Sequence, residues 1–303
     1  MAGSFTTVDL SALPAPDIIE SLDYEAVLAD CKTELLQRYP AFSAVVESDP
    51  AYKVLEVLAY REMLLRQRIN DAARGTMVAF AQKGDLDQIG ANYDVSRLVV
   101  TPADNSTYPP TPAVYETDDN LRQRIPLSLE GYSTAGSEGS YIFHARSASG
   151  HVKDASAVSP TPGVVTVYVL STVGNGTADE QLLTAVRAAL NVQHVRPITD
   201  QVFVLSASIV EYLIEAELEL FEGPDPVVVL AAAQVATDAY AAKMHKMGVG
   251  VSRSGLFQAL HRPGVKSVNL IAPATDIALF DGQAAYCTGT AISKAPDDES
   301  GVL

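Results

Sequence analysis

Basic residues, cysteines and long apolar runs are all scarce in this chain. Its 21 lysine and arginine residues face 37 aspartate and glutamate residues, which gives a formal net charge of -16. A protein that binds nucleic acid needs a concentrated basic surface, so this balance argues against that class. The two cysteines, Cys31 and Cys287, stand far apart without the spacing of a disulfide framework. We therefore expect reduced thiols and assembly in the cytoplasm.

Segments for export or membrane insertion are also missing from the sequence pattern. The start, Met1–Asp17, lacks a basic segment followed by an apolar run, so it does not resemble a signal peptide. No uninterrupted apolar run approaches the roughly 18 residues that span a bilayer, and we predict a soluble protein with no membrane partner. The 303 residues are 48% hydrophobic and 19% charged, a globular composition that predicts two or three domains.

Motifs for catalysis or cofactor binding are absent as well. The sequence contains no GxSxG elbow, and no two histidines have the spacing of a zinc motif. The five histidines, all interpreted as structural, are His144, His151, His194, His245 and His261. Gly174 and Gly176 follow a strand and precede a helix, but Asp179 and Glu180 would repel a phosphate there. We therefore predict no cofactor, no metal and no enzymatic activity.

An acidic strand is the one pattern that could suggest catalysis. Glu211, Glu215, Glu217 and Glu219 occupy odd positions of the stretch Ile209–Leu220, and its even positions are apolar. This alternation is typical of a sheet with one face in solvent, which is our preferred interpretation. A tail-associated hydrolase that uses these carboxylates for acid–base chemistry is the alternative.

A long helix dominates the first third of the chain. Asp49 provides a helix cap and Pro50 fits the first turn, and no glycine or proline follows until Gly75, so we predict about 25 helical residues. Apolar residues recur at helical spacing, and arginines flank them. This stripe is predicted to contact a partner through Val54, Leu58, Arg61, Leu65, Arg68, Ile69 and Arg74. Asp85 is predicted to cap a short second helix that carries Leu86 and Ile89.

The remaining sequence predicts further helices and two strand-rich modules. A helix is expected from Asp23 to the residue before Tyr39-Pro40, and a short polar helix over Glu116–Arg124. After Gly150 the pattern predicts two tandem strand–helix–strand modules, the first with a capping box formed by Thr177 and Glu180.

The predicted fold class is therefore α+β: a helical N-terminal region followed by two small strand–helix–strand domains with mixed sheets. The predicted parts are residues 1–100 as a helical partner-binding region, 101–125 as a Pro-rich connector with a short helix, 126–206 and 207–279 as the two α+β domains, and 280–303 as a flexible tail.

Several segments, in order, resemble the baseplate J-like proteins of contractile phage tails. The resemblance covers roughly Asp49–Ile277 and rests on a Leu- and Arg-rich helix, an Asn-Asp-Ala-Ala-Arg step, Gly-x-Asp-Leu-Asp and a closing arginine. The step, the Gly-x-Asp-Leu-Asp piece and the closing arginine are Asn70–Arg74, Gly84–Asp87 and Arg97. Four later segments also match: Glu116–Ile125, Ser133–Tyr141, Arg196–Asp200 and Gly264–Leu270.

The resemblance implies a structural role in the wedge of a baseplate, the disc at the distal end of a contractile tail. It implies that the chain joins a second copy of itself and a smaller wedge protein through N-terminal helices, and that wedges form a six-fold ring around the hub. Neighbouring wedges are implied partners, with the hub and sheath-initiating proteins as further candidates. The implied location is a virion or a tail-like particle, such as a bacteriocin. A self-contained ligand-binding module is the remaining alternative.

Overall fold

The structure, a computed structural model, describes residues 10, 13–14, 20–41, 47–133, 135–192, 195–223 and 225–296. Most of residues 1–19, His194 and the last seven residues of the predicted tail lie outside them. The helices are α1 (Tyr24–Arg38), α2 (Pro50–Gly75), α3 (Lys83–Ala91), α4 (Asp118–Gly131), α5 (Glu138–Ser147), α6 (Glu180–Leu190), α7 (Pro226–Met244) and α8 (Arg253–Leu260). The strands are β1 (Val99–Thr101), β2 (Val114–Tyr115), β3 (Val152–Thr161), β4 (Val164–Ser171), β5 (Gln201–Ser206), β6 (Ser208–Leu220), β7 (Val265–Ala272) and β8 (Gln283–Lys294). This order confirms the predicted α+β class with a helical N-terminal region.

Both N-terminal helices begin at the predicted aspartates. The Asp23 side chain accepts hydrogen bonds from the backbone N–H groups of Glu25 and Ala26. The Asp49 carboxylate accepts from the N–H of Ala51 at 2.7 Å, and Pro50 needs no acceptor at the first helical position. Because nothing interrupts the pattern after Pro50, α2 continues for 26 residues to Gly75.

The chain between the helical region and the first module is more structured than predicted. β1 pairs antiparallel with β2, and Asp104 exchanges two 2.9 Å backbone hydrogen bonds with Thr111, so the Pro-rich run closes a loop. The prediction of a short polar helix ending at Arg124 is wrong. Pro126 removes one donor without ending the helix, so α4 continues to Gly131 and buries Leu121 and Ile125.

The first module contains a mixed three-stranded sheet in the order β3-β4-β5. β3 runs antiparallel to β4, and β5 returns parallel to β4 after α6, which is the predicted strand–helix–strand plan. Val165, Val167 and Val169 alternate along β4 and face a core formed with α5 and α6. Strand periodicity thus places one face of β4 against the helices.

The second module repeats this plan with the strand order β7-β6-β8. β6 pairs antiparallel with β7 and parallel with β8, and α7 and α8 supply the other half of the core. The predicted tail at residues 280–303 is therefore wrong for Gln283–Lys294, which form β8. Sequence reasoning missed this strand because its residues, QAAYCTGTAISK, include few large apolar side chains.

A single stretch of chain links the two sheets. β5 ends at Ser206 and β6 begins at Ser208, with Ala207 between them. The N–H of Ala207 donates to the carbonyl of Val169 in the first sheet, and the N–H of Ser208 donates to that of Gly282 beside β8, both at 2.9 Å. The two modules therefore share a continuous backbone path.

Polar contacts also join the modules beside this path. Lys153 Nζ of β3 lies 2.8 Å from Nδ1 of His245, which caps the end of α7. The next residue of β3, Asp154, accepts a hydrogen bond from the N–H of Met247 at 3.0 Å. Neither contact was visible in the sequence, since each pair is separated by more than ninety residues.

Two predicted helix caps differ from the structure. Asp179, not Thr177, caps α6 by accepting from the N–H of Leu182, so the predicted capping box is wrong. Thr177 donates instead to the Asn175 side chain at 2.8 Å. Helix α3 begins at Lys83, so Asp85 lies within its first turn rather than at the cap.

Among the described residues, α7 is the helix that is long and apolar enough to cross a membrane, by length and composition alone. A helix in the core of a globular domain can meet the same test. Val229 and Ala233 of α7 are buried in the core of the second module, while Val228 and Val235 are exposed.

The described chain separates into two compact units. One contains the helical region up to Ser96 together with Leu121–Gln123, and the other contains Arg97–Asn120 and the chain from Arg124 onward. Both α+β modules lie in the second unit. The finer division into separate domains at residues 206 and 207 stays a prediction.

Candidate interaction surface

Helix α2 has two apolar sides, and one of them packs within the chain. Tyr52, Leu55 and Ala59 are buried against Val27 and Leu28 of α1. At about 100° per residue, the α2 members of this contact occupy one sector of the helix. Sequence analysis predicted the stripe on α2 but missed this second apolar sector.

The predicted stripe lies on the other side of α2 and is open to solvent. Val54, Leu58, Leu65 and Ile69 are each between 52% and 60% exposed. Helical geometry places the centre of their sector about 100° around the axis from the sector that contacts α1. Scattered exposed apolar residues are common on proteins, whereas a continuous apolar stripe along a helix is typical of surfaces that bind another molecule.

Two arginines lie within this open side rather than at its edges. Arg61 and Arg68 are seven residues apart and project from nearly the same side of the helix. The stripe flanks them on one side, and exposed Val57 and Leu64 flank them on the other. Within the part of the chain that the structure describes, neither guanidinium has a carboxylate within 4 Å.

We define the open face of α2 as Val54, Val57, Leu58, Arg61, Leu64, Leu65, Arg68 and Ile69. Arg74, which the sequence analysis grouped with this surface, is exposed but projects about 120° away from Arg68 around the helix axis. The other ion pairs on α2, Lys53 with Glu56 and Glu62 with Arg66, involve residues outside the open face.

Asn70, on the side of α2 that faces its own chain, has a role that the sequence did not indicate. Its side-chain oxygen accepts from the N–H of Glu20 at 2.7 Å, and its amide nitrogen donates to the carbonyl of Glu20 at 2.9 Å. Both groups of a buried amide are therefore satisfied by the segment that precedes α1. The Asn of the Asn-Asp-Ala-Ala-Arg step thus holds the helix pair together.

Other residues of the segments that carry the resemblance also make internal contacts. Arg97 donates to the carbonyl of Glu116 at 2.8 Å and to the carboxylate of Asp118 at 2.7 Å. Tyr141 donates to the carboxylate of Asp200 at 2.7 Å, and burial, with Asp200, raises the pKa of this tyrosine. These residues therefore contribute hydrogen bonds within the fold.

The acidic strand has the alternation that the sequence predicted. Tyr212, Ile214, Ala216 and Leu218 of β6 face the core, and the glutamates face outward. The Glu219 carboxylate accepts hydrogen bonds from Lys266 at 2.5 Å and from Ser267 at 2.8 Å, and that of Glu217 accepts from Asn269 at 3.3 Å. Side chains of β7 therefore donate hydrogen bonds to both carboxylates.

The remaining candidate residues are dispersed. No group of three or more potential metal ligands occurs among the described residues. His144 contacts the carbonyl of Gly131 at 3.2 Å, and His245 belongs to the contact between the modules. Gly174 and Gly176, both with positive φ, form a turn between β4 and α6, and a side chain at Gly176 would collide with Leu170 and His245.

Comparisons with known proteins match most of the chain. The baseplate J-like N-terminal domain matches residues 47–104, and the baseplate J-like central domain matches residues 133–206. Baseplate protein J of Escherichia phage P2 is 48% identical over 299 residues, covering 96% of this chain and 99% of that protein.

A more distant likeness is to a chain in the cryo-EM structure of the anti-feeding prophage baseplate, 6-fold symmetrised. It has a TM-score of 0.42 and 15% sequence identity, covering 60% of this chain and 43% of that chain. A likeness at this level adds nothing to the sequence match.

Proposed function

The chain belongs to the baseplate J-like family, and on that premise we propose that it is a structural component of a contractile-tail baseplate. Its location is a virion or tail-like particle. Within that particle it acts as a wedge protein that assembles with a second copy of itself and a smaller wedge protein, and wedges join into a six-fold ring around the hub.

The open face of α2 is the observation that supports this role. It exposes six large apolar side chains over four helical turns, although α2 buries a second apolar sector within its own chain. A helix with apolar residues on most sides is typical of a bundle with more than two members. The helix pair of this chain supplies two members, and we propose that other subunits supply the rest.

The surface for this contact comprises the predicted residues Val54, Leu58, Arg61, Leu65, Arg68 and Ile69, whereas Arg74, which was predicted with them, projects away from it. Fully covering a Leu, Ile or Val side chain contributes about 1.5–3 kcal/mol. Covering part of these exposed side chains therefore favours association.

The test replaces two leucines at the centre of the open face. Leu58→Asp with Leu65→Asp places two carboxylates on the contact surface, so this variant should fail to enter particles and should not copurify with the smaller wedge protein. Both side chains are exposed, so thermal unfolding of the isolated chain should change little.

Leu213→Asp is the matched control, because Leu213 is similarly exposed but lies on the outer face of β6. This variant should assemble as the unchanged chain does. Normal assembly of the double variant would show that α2 does not contact a partner, whereas a defect shared by both variants would indicate a general effect of added charge.

A further inference from the structure

The open face of α2 has an electrostatic property that limits what can bind it. The whole chain carries a net charge of -16, yet α2 has five basic residues and three acidic ones. Two of the basic residues, Arg61 and Arg68, lie between exposed apolar side chains on both sides. A partner that covers the leucines must therefore also remove water from these guanidinium groups.

Arginine is costly to bury without a carboxylate. Removing one member of a desolvated charge pair at an interface typically costs 2–5 kcal/mol, because the remaining charge loses both water and its partner. On α2 itself, Glu56 and Glu62 already contact Lys53 and Arg66, and in the described part of the chain the third carboxylate, that of Asp71, lies within 4 Å of neither Arg61 nor Arg68. The carboxylates for Arg61 and Arg68 must then come from the molecule that covers them.

A second α2 helix does not supply those carboxylates. In a parallel pair of α2 helices, each arginine would meet its own equivalent, and in a centred antiparallel pair Arg61 would meet Arg68. A shifted antiparallel register brings Asp71 towards Arg61 but leaves Arg68 against Leu64. Like charges at a close contact are destabilising, and coiled coils select partners through such charges.

We infer that the open face of α2 binds directly to a helix of a different protein, whose apolar stripe carries two carboxylates placed to meet Arg61 and Arg68. Seven helical residues rise about 10.5 Å, so the two carboxylates lie two turns apart on that helix. This inference rests on the proposed function, since it describes the partner at the same surface. The second copy of the chain then joins the bundle through the other protein rather than through a contact between the two α2 helices.

The experiment measures binding of the full chain to the purified smaller wedge protein of the same particle. Arg61→Glu with Arg68→Glu should weaken binding by at least about 100-fold. Arg61→Leu with Arg68→Leu removes the charge and keeps apolar bulk, and it should also weaken binding, because the partner's carboxylates lose their counterions. Lysine at both positions keeps the charge and should weaken binding less than tenfold. Rising salt should weaken binding by the unchanged chain and have little effect on the leucine variant.

Arg38→Glu is the control, because Arg38 is an exposed residue of the same helical unit that pairs with Glu34 on α1. It should bind as the unchanged chain does. Tighter binding by the leucine variant would overturn the inference, since it would show an apolar partner surface at these positions. Circular dichroism of each variant checks that α1 and α2 remain folded.

The two proposals fail in different ways. If Leu58→Asp with Leu65→Asp abolishes binding while the glutamate pair does not, the charge inference fails and the proposed function stands. If neither double variant changes binding, both fail. Sedimentation adds a further check, since a dimer of the isolated chain that Leu65→Asp dissociates would contradict the inference.

Discussion

The helical unit and the α+β unit differ in how completely they bury their own apolar residues. Among the described residues, the core of the α1–α2 pair contains five buried apolar residues, whereas the first module buries seventeen together and the second thirteen. Burial of apolar area is the main favourable term in folding. The α+β modules therefore bury larger apolar cores than the α1–α2 pair, which leaves much of the apolar surface of α2 exposed.

The largest expected effect is at a buried ion pair of the α+β unit. Glu116 and Arg124 form a salt bridge with both side chains almost fully buried, and Glu116 also accepts from the N–H of Leu98. Glu116→Gln leaves the guanidinium buried without a counterion and should lower the free energy of unfolding by about 3–5 kcal/mol in urea denaturation.

Glu34→Gln on α1 is the contrasting change, since its partner Arg38 is 77% exposed and exposed pairs contribute little. It should leave the unfolding midpoint unchanged. Equal effects of the two substitutions would mean that the helical unit is as tightly packed as the α+β unit.

A second pair of substitutions compares two leucines directly. Leu218 is fully buried in β6, and Leu65 is 60% exposed on the open face of α2. Leu218→Ala should cost about 2–5 kcal/mol of stability because it leaves a cavity, whereas Leu65→Ala should change the stability of the isolated chain by less than about 0.5 kcal/mol. In the assembled particle, where we propose that a partner covers Leu65, the destabilisation by Leu65→Ala should approach that by Leu218→Ala. Thermal unfolding of particles that carry each variant measures both effects.

Sequence reasoning succeeded where a feature depends on neighbouring residues. The start of α2 follows from Asp49 and Pro50, and the alternation of β6 follows from its period of two. It failed for contacts between distant residues. The Asn70 contact with Glu20 spans fifty residues, and the Lys153 contact with His245 spans ninety-two.

The candidate surface on α2 was also predictable, because the spacing of apolar residues along one helix is a local feature. An apolar stripe on one side of a helix is visible in the sequence, but whether its own chain covers it is not. The sequence showed the stripe through Leu58 and Leu65, and the structure was needed to show that α1 covers Tyr52 and Ala59 instead. The strand β8 was missed because parallel pairing with β6, rather than large apolar side chains, holds it in place.

The contact between the modules should be weakened by mild acid. Burial lowers the pKa of His245, nearby Lys153 lowers it further, and the backbone of Asn175 opposes the shift. The other charged groups nearby are Asp154 and Lys246, which act on Lys153 in opposite directions. The imidazole of His245 therefore binds a proton more tightly in the unfolded chain than in the folded chain. The free energy of unfolding should consequently fall as the pH drops below about 6.5.

Urea denaturation at pH 7.5 and 5.5 measures this effect. His245→Gln cannot take up the proton and should show a smaller loss of stability on acidification than the unchanged chain. His261→Gln is the control, because His261 is exposed and lies outside the module contact. An identical pH response in the His245 variant would show that other groups account for any acid sensitivity.

The smallest expected effect is at the acidic strand. Glu215→Gln with Glu217→Gln removes two outward-facing charges of β6, and we expect no change in particle assembly or in any infection or killing activity. Side chains two apart on one face of a strand stand about 7 Å from each other, a separation that glycosidase carboxylates also show. Loss of activity in fully assembled particles would therefore support a hydrolase.

Side-chain accessibility of α2 in the free chain and in the particle is the most direct measurement. Hydroxyl-radical footprinting reports it on the unmodified protein, through the tryptic peptides Val54–Arg61 and Glu62–Arg66, which carry much of the open face. Both peptides should be oxidised readily in the isolated chain and strongly protected in the particle, whereas the core residues of β6 should be protected in both. Equal oxidation of the two α2 peptides before and after assembly would contradict the account, because the open face would then have no partner.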